Sequence, residues 1–325
     1  MVKKGFISVI IPVYNGAKTI KGCLEALYNN SYKNFECIVI DDCSKDDSVE
    51  IAKQFPSRVL RLEKNSGPAK ARNFGASNAR GDILFFVDSD VLLLPNALNE
   101  VIGSFKKEPS IAAVVGIYDK EPANGGFFAD YMALRKFSDF MDSKKKYFSF
   151  IGGACSAVKK EVFFEFGGFP EKYRGADIED YVLGYNIGSR YRILFNPKLR
   201  GKHYMPTFKS CLKNYFKRAS MWFMVFLRRR RFDTGAATAA RGISSISTLL
   251  ALLSLILSLF YNVFIWFLLF FISIFFYTNR NFYLMVIKKK GFGFLIPSIF
   301  VNFILFMSIS FGVLYSIVVY PFKKA

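Results

Sequence analysis

The stretch NSGPAKARNFGASNARGDILFFVDSD, residues 65–90, decides the fold. It contains an amphipathic segment, Ala69–Ala79, with the spacing of a helix, then the short run Asp82–Val87, and then two aspartates. A short apolar run between polar turns is typical of a strand that is buried on both faces. A helix that leads into such a strand indicates an α/β architecture with a mostly parallel sheet.

The same alternation extends to both sides of this stretch. Further strands are predicted at Phe6–Val13, Phe35–Ile40, Arg58–Leu62 and Ile111–Val115, and further helices at Thr19–Asn29, Asp47–Gln54 and Asn96–Lys106. Residues 116–150 are less regular. A strand and a helix follow in residues 151–171, another helix from about Ile178, and a final strand in residues 191–195. Ligands of such sheets bind at the carboxyl ends of the strands.

Charge divides the chain into three parts. Residues 1–199 have a net charge of +4, residues 200–241 of +10 and residues 242–325 of +6, which together give +20. The mean hydropathy is nevertheless +0.23. The charge excess therefore belongs to the last two fifths of the chain, and its position beside apolar segments favours membrane headgroups over nucleic acid as its partner.

Residues 208–227 predict an amphipathic helix with a basic stripe at Lys209, Lys213 and Lys217, followed by four arginines, 228–231. This division is typical of a helix that lies in the membrane interface, and a core helix with a solvated basic face is the alternative. Residues 243–277 contain no charge, and as one helix they would measure roughly 52 Å against a hydrocarbon core of ~30 Å. We therefore expect three membrane passes, at about 243–260, 262–278 and 294–320, with two passes as the alternative.

Composition excludes other classes of protein. The five scattered cysteines contain no CxxC pair, and a single histidine leaves no Cys/His zinc cluster. The first residues lack the apolar core of a signal peptide. We therefore expect residues 1–205 to form a cytosolic catalytic domain, residues 206–241 an interfacial region, and residues 242–325 a membrane region in the cytoplasmic membrane.

Three acidic clusters follow predicted strands or begin a helix. They are Asp41-Asp42, Asp88-Ser89-Asp90 and Glu179-Asp180. A carboxylate beside a buried strand is costly unless it meets a cation or a donor, so three clusters in one domain indicate a shared charged ligand. The Asp-X-Asp pair offers the hard oxygen ligands that Mg²⁺ and Mn²⁺ prefer. For each cluster taken alone, helix capping or a turn is the alternative.

The motifs SVIIPVYNGAKTIKGCLEAL, ECIVIDDCSKDDS, NSGPAKARNFGASNARGDILFFVDSD, GGFPE and IEDYVLGYNIGSRYRILF, taken in this order, resemble a family 2 glycosyltransferase with the GT-A fold, of the membrane-anchored type. The resemblance covers roughly residues 6–205. It implies an inverting transfer of a sugar from a nucleotide-diphosphate sugar, with a divalent metal.

The resemblance also implies roles for single residues. Asp180 matches the general base. Glu179, the preceding residue, is expected to bind the substrate. Asp88 and Asp90 match the metal-binding pair, and His203 lies where members of the family often carry a histidine near the metal. Other positions match the substrate-binding parts of the family. Pro12, Tyr14 and Asn15 match its nucleotide-facing turn, Asp41 matches the carboxylate that contacts the base, with Asp42 beside it, and Asn65, Gly67, Arg72 and Asn73 lie in its NxGxxxARN signature. Asp88 also belongs to this substrate-binding set, and Gly152 and Gly153 match the sugar or acceptor side.

One position departs from the family pattern. Cys43 stands where glycine is usual, and we expect it to be tolerated if the turn does not require a positive φ.

The sequence thus predicts a membrane-bound glycosyltransferase that uses Mg²⁺ or Mn²⁺ and a nucleotide-diphosphate sugar, with a UDP-sugar favoured. Its acceptor is expected to be a hydroxyl of a lipid-linked or cell-envelope glycan at the cytoplasmic face. A polyprenyl-phosphate acceptor is the alternative. A sugar-nucleotide binding protein without activity and a processive synthase are less favoured, the latter because three short passes leave little material for a channel.

Overall fold

The computed structural model of the chain describes residues 5–152, 155–173, 175, 177–235 and 237–319. The strands of this described part are β1 (Ile7–Val13), β2 (Phe35–Asp41), β3 (Arg58–Arg61), β4 (Ile83–Val87), β5 (Val91–Leu93), β6 (Ile111–Tyr118), β7 (Tyr147–Phe148), β8 (Cys155–Lys159) and β9 (Arg192–His203). The helices are α1 (Ile20–Tyr28), α2 (Ser48–Ala52), α3 (Pro68–Ser77), α4 (Ala97–Lys107), α5 (Phe127–Met141), α6 (Lys160–Glu165), α7 (Glu179–Gly188), α8 (Phe208–Arg229), α9 (Ala239–Ser258), α10 (Phe264–Thr278), α11 (Arg280–Lys290) and α12 (Phe292–Val319).

All strands belong to one mixed sheet in the order β3-β2-β1-β4-β8-β6-β9-β5, with β7 paired to β9. The four strands β3, β2, β1 and β4 are parallel, as the sequence predicted. Strand β8 is antiparallel to β4 and β6, and β5 is antiparallel to β9. The carboxyl ends of these four parallel strands therefore lie at one edge of the sheet. In the other half of the sheet, β9 pairs parallel with β6 and antiparallel with β5.

The core lies between the sheet and its helices. Strand β1 is buried on both faces, since Val9 and Ile10 are each fully covered, and this explains why its sequence is a continuous apolar run rather than an alternation. Helix α1 buries Ile20, Leu24 and Leu27 at helical spacing. On the other face, Gly75 allows α3 to approach β1 closely, because a Cβ there would lie 2.5 Å from Ile10 Cγ2.

Two compact units make up the chain. The first consists of Met1–Gly126 and Lys144–Met205 and contains the whole sheet. The second consists of Phe127–Ser143 and Pro206–Ala325. Helix α5, which lies in the stretch that the sequence left irregular, thus belongs by its contacts to the second unit.

A buried polar network connects the helices of the second unit. Arg135 of α5 and Arg241 of α9 both donate to Asn279 Oδ1, over 2.7 and 3.0 Å. The same two arginines share the carboxylate of Asp139. Farther along, Tyr131 donates to Asn302 of α12 over 2.9 Å. These bonds to α9 and α12 and to the α10–α11 junction hold α5 in the second unit.

Two helices of the described part, α9 and α12, are long and apolar enough to cross a membrane. Helix α10 coincides with the expected middle pass but has only 15 residues, or about 22 Å. It is long enough to cross a membrane only together with α11, from which it is bent by 63°.

Helix α8 lies along α12 within the second unit. Ser308 Oγ donates to the Leu212 carbonyl over 2.8 Å, and Ser316 Oγ donates to the Ser220 carbonyl over 2.7 Å. Between them, Gly312 faces Phe216, and a Cβ there would lie 2.3 Å from the Phe216 carbonyl oxygen. Since the contacts advance by the same step along both helices, the two helices are parallel here. The lysines of the predicted basic stripe remain exposed on α8.

Candidate active site

The candidate site begins where β1, β2 and β4 end. Because the three strands are parallel and adjacent, their carboxyl ends lie at one edge of the sheet. Strand β1 contains Pro12 and is followed by Tyr14, whose side chain is 48% exposed, and Asn15. Strand β2 ends at Asp41, and β4 is followed directly by Asp88. The sequence therefore folds so that the predicted nucleotide turns and the Asp-X-Asp pair share one edge.

The turns after β1 and β2 are joined by hydrogen bonds. The Asn15 amide donates to Ser44 Oγ over 2.9 Å, and Asn15 Oδ1 accepts from the Lys45 amide over 2.8 Å. The Ala17 amide donates to Asp46 Oδ2 over 2.9 Å. Burial of Asp46 acts to raise the pKa of its carboxyl. Hydrogen bonds from Ser48 and from backbone amides outweigh burial and lower that pKa. The bonds hold Asn15 in its left-handed conformation, φ 50°.

Asp41 and Asp42 support two different loops. Asp41 is fully buried, accepts from the Ser44 amide over 3.0 Å, and lies 3.1 Å from Arg61 Nε. Asp42 accepts from the amides of Ser66 and Gly67 over 2.7 and 2.8 Å. Both carboxylates thus order the backbone around the predicted nucleotide edge.

The glycine-containing loop leads into α3. Gly67 has φ 90° and precedes Pro68, the first residue of α3, so the glycine provides a conformation that other residues rarely adopt. Asn65 is exposed on this loop. Cys43, on the neighbouring turn, has φ 67°. The condition under which we expected cysteine to replace glycine without cost is therefore not met.

Arg72 connects two of the acidic clusters. It is 5% exposed, and its guanidinium nitrogens lie 2.8 Å from Asp88 Oδ1 and 3.1 Å from Glu179 Oε1. Its guanidinium carbon also lies 5.4 Å from the centre of the Phe169 ring. Burial acts to lower the pKa of Arg72, but the carboxylates of Asp88 and Glu179 outweigh it and raise that pKa. Burial raises the pKa of Asp88, with Asp90 adding to the effect and Arg72 opposing it.

Asp90 and His203 are brought together by the pairing of β5 with β9. Val91 of β5 is the register partner of His203, and the Tyr204 amide donates to the Asp90 carbonyl over 2.9 Å. His203 Nε2 lies 3.3 Å from Asp90 Oδ2. The imidazole is 7% exposed, and its centre lies 4.5 Å from that of the Tyr118 ring.

Glu179 and Asp180 form the first turn of α7 and are both buried. Glu179 uses both carboxylate oxygens, since Oε1 binds Arg72 and Oε2 accepts from the Asp177 amide over 3.0 Å. Asp180 Oδ1 accepts from the amide of Tyr181 over 2.9 Å. The two neighbouring carboxylates therefore have different partners. Glu179 binds Arg72, and Asp180 accepts from the amide of Tyr181.

Two predicted residues have partners outside this cluster, and a third lies beyond the described part of the chain. The Asn73 side chain donates to the Phe169 carbonyl over 2.8 Å and accepts from the Phe169 amide over 2.9 Å, so it connects α3 to the GGFPE turn. The Gly152 carbonyl accepts from the Ser156 hydroxyl. Gly153 is outside the described residues.

Asp88, Asp90 and His203 are the side chains of this edge that could bind a divalent ion. Within the described ranges, no three His, Cys, Asp or Glu side chains are placed to hold one ion together. Asp90 and His203 offer an oxygen and a nitrogen 3.3 Å apart, and Asp88 lies two residues away in sequence. Magnesium commonly takes one or two carboxylates and completes its shell with substrate phosphates and water, and imidazole suits transition metals. Asp90 and His203 could therefore supply part of the ligand shell of a divalent ion, with the other ligands coming from water or a bound substrate.

Sequence reasoning missed some contacts of this site. Glu179 is 107 positions from its partner Arg72, and no local pattern indicates such a pair. Arg61, the partner of Asp41, could have been found, because it ends the strand beside β2 and is the register partner of Asp41.

The sequence of this chain is similar to those of known glycosyltransferases. Residues 8–167 match the family model described as glycosyl transferase family 2. An uncharacterised glycosyltransferase of Haemophilus influenzae is 32% identical over 179 residues, which are 54% of this chain and 60% of that protein. The glycosyltransferase GlyG of Streptococcus pneumoniae is 29% identical over 175 residues, which are 49% of this chain and 58% of GlyG. The chain thus spans about three fifths of the length of these relatives.

A solved structure shares the fold. The mannosyltransferase PcManGT from Pyrobaculum calidifontis, in complex with GDP-Man and Mn²⁺, superimposes with a TM-score of 0.58 at 17% identity. The match covers 98% of this chain and 88% of that one. It confirms the expected GT-A fold.

Proposed function

Residues 8–167 of this chain belong to glycosyl transferase family 2, and from that premise we propose that the chain transfers a sugar from a nucleotide-diphosphate sugar to an acceptor at the membrane, with inversion at the anomeric carbon. The observation that carries the proposal is the Arg72 bridge. One buried guanidinium binds Asp88, from the predicted donor side, and Glu179, from the predicted acceptor side. In this proposal, the bridge would hold the donor side and the acceptor side of the transfer site close to each other.

Asp180 is the proposed general base. An inverting transfer needs one carboxylate that accepts the proton of the attacking hydroxyl, while the nucleoside diphosphate leaves on the opposite face of the sugar. Glu179 is less suited to this role, because both of its oxygens already accept hydrogen bonds. In this proposal Glu179 and Arg72 orient the start of α7, and Asp180 takes the proton.

The donor would lie along the edge formed by β1, β2 and β4. The turn at Tyr14 and Asn15 and the loop at Asn65 and Gly67 would hold the nucleotide, with Asp41 and Asp42 ordering the two loops. Asp90 and His203, together with Asp88, would hold a divalent ion. Such an ion neutralises the negative charge of a departing diphosphate. The structural neighbour was solved with a nucleotide-diphosphate sugar and Mn²⁺, the combination proposed here.

The acceptor is proposed to be a hydroxyl of a lipid-linked or envelope glycan at the cytoplasmic leaflet. Helices α9 and α12 have the length and hydropathy of membrane spans. Residues 200–325 contain 17 basic side chains and one acidic, Asp233. Asp233 is buried and accepts from Trp222 and Arg229 over 2.7 and 3.0 Å. This excess of basic side chains beside apolar helices favours anionic headgroups, which supports a substrate that is already in the membrane.

A donor screen tests the proposal. Membranes that contain the full-length chain are supplied with Mn²⁺ or Mg²⁺ and one nucleotide-diphosphate sugar at a time, and the lipid extract is analysed by mass spectrometry. We expect one donor to add a single sugar to one lipid species, with UDP-sugars favoured. Membranes from cells without the chain are the control, and no new species with any donor would contradict the proposal.

A second candidate acceptor is a polyprenyl phosphate, and Asp180→Asn distinguishes it. A phosphate oxygen is already ionised and transfers no proton, so such an enzyme should keep its activity in this variant. A hydroxyl acceptor requires the base, so activity should be lost while the nucleotide still binds.

A further inference from the structure

The segment from Tyr147 to Gly152, in the first unit, is fixed at both ends. Its first two residues form β7, which pairs antiparallel with β9 in the register Tyr147↔Leu194 and Phe148↔Ile193. Its last residue, Gly152, is held through its carbonyl by the Ser156 hydroxyl. The segment therefore leads from the sheet to the glycine that is proposed to line the sugar or acceptor side.

Stacked aromatic rings connect this segment to β9 and to α7. Phe148 stacks on Phe195 with ring centres 4.3 Å apart and planes at 8°. Phe150 stacks on Tyr181, the residue after Asp180, with centres 4.8 Å apart and planes at 14°. Phe148 and Phe150 are 4% and 2% exposed. The stacks thus fix the orientation of the segment against the helix that carries the proposed base.

Gly184 lies where the backbone of this segment touches α7. A Cβ at Gly184 would lie 2.4 Å from Phe150 Cα and 2.5 Å from the Ile151 nitrogen, distances at which something must shift. Both neighbours are backbone atoms, so no side-chain rotation can relieve the contact. The Ile151 amide also lies 3.5 Å from the carbonyl oxygen of Asp180.

We propose that Gly184 is a positioning residue that sets the distance between Asp180 and the acceptor-side segment 147–152. The inference rests on the proposed transferase function. Residues four positions apart lie on the same face of a helix, so Asp180 and Gly184 share one face of α7. Because Gly184 has no side chain, the backbone of the segment can pack directly against that face. A Cβ would separate helix and segment by about 1 Å before ordinary contact is restored, and a misplacement of that size reduces a rate by about 100-fold.

Gly188, at the end of the same helix, provides a matched control. A Cβ at Gly188 would meet only Ile193 Cδ1, at 3.8 Å, which is ordinary contact. Gly184→Ala and Gly188→Ala therefore make the same chemical change on one helix, and both increase its helix propensity. Only the first brings a side chain against the segment.

The experiment compares both variants in the full-length chain, with the donor found in the screen and the membrane lipid extract as acceptor. We expect Gly184→Ala to reduce kcat for transfer about 100-fold and to raise the apparent KM for the extract. Nucleotide affinity and hydrolysis of the donor by water should stay within about twofold of wild type, since the donor side is unchanged. Gly188→Ala should transfer like wild type.

Transfer by Gly184→Ala within twofold of wild type would overturn the inference, and so would a parallel loss of nucleotide binding, which would mark a general structural role. Hydrogen exchange of the Ile151 amide gives a readout that does not depend on activity. It should become faster in Gly184→Ala and remain unchanged in Gly188→Ala. If wild type transfers no sugar from any donor, the proposed function fails, while unchanged exchange in both variants would still refute the geometry.

Discussion

Arg72→Met removes the guanidinium between two buried carboxylates and keeps most of the unbranched stem. Arg72 is 5% exposed, and its nitrogens lie 2.8 Å from Asp88 and 3.1 Å from Glu179. Removal of one partner from a buried ion pair leaves an uncompensated charge and typically costs about 3–5 kcal/mol. For a domain of this size, each kcal/mol lowers Tm by about 2–4 °C. We therefore expect a loss of roughly 6–20 °C.

Arg190→Met is the matched control. Its guanidinium lies 3.1 Å from Glu165, but the side chain is 69% exposed, and exposed pairs contribute about 0–1 kcal/mol. Thermal unfolding of the full-length chain in detergent, followed by intrinsic fluorescence, compares the two variants. In the Arg72→Met background, Glu179→Gln should restore part of Tm because it removes one of the stranded charges. A loss of Tm no larger than that of Arg190→Met would refute the reasoning.

Three further predictions concern backbone strain, pH and helix packing. Cys43→Gly should raise the free energy of unfolding by about 1 kcal/mol, because φ is 67° at this position. Cys43→Ala should not raise the free energy of unfolding, and equal Tm values for the two variants would contradict the prediction. Burial of Glu36 acts to raise the pKa of its carboxyl, but hydrogen bonds from Ser8 and Arg80 outweigh burial and lower that pKa. The ionised carboxylate therefore stabilises the fold above about pH 4.3, and this stabilisation is lost as the pH falls through the folded pKa. Glu36→Gln should therefore lower Tm at pH 7, and this loss should become smaller as the pH falls below about 4.3. A loss of Tm that does not change with pH would argue against the assignment. Gly312→Ala should lower the Tm of the detergent-solubilised chain, because a Cβ would meet the backbone of α8, while Gly293→Ala, with no neighbour within 4 Å, should not; the same Tm in both would refute the packing.

The first strands could be predicted because their signal is local. Strand β1 was expected at residues 6–13 and is found at Ile7–Val13, and α3 was expected at residues 69–79 and is found at Pro68–Ser77. A run such as ILFFV, covered on both faces, needs no knowledge of its neighbours to be recognised as a buried strand.

Helix α5 could not be predicted in the same way. Its sequence, FFADYMALRKFSDFM, contains buried polar residues whose partners lie far along the chain. Arg135 binds Asn279, 144 positions away, and Tyr131 binds Asn302, 171 positions away. An amphipathic pattern places arginine on the solvent side of a helix. The burial of Arg135 can be understood only once its distant partners are known.

The candidate site was predictable as a set of residues but not as a set of contacts. The motifs indicated Asp88, Asp90 and His203, and the pairing of β5 with β9 explains why the last two are adjacent. That pairing joins Val91 to His203, which are 112 positions apart, so no local rule indicates it. Asn73 gives a second example, because its hydrogen bonds to Phe169 join residues 96 positions apart and are not indicated by the motif.

The most direct test of the central claim measures transfer and nucleotide binding together in Asp180→Asn. The full-length variant in membranes receives the labelled donor, and sugar in the lipid extract is counted while nucleotide affinity is measured on the same preparation. The account predicts a loss of transfer of at least about 100-fold, the lower end of what a general base contributes, with nucleotide affinity within twofold of wild type. Transfer at the wild-type rate would contradict the assignment of Asp180 as the base for a hydroxyl acceptor.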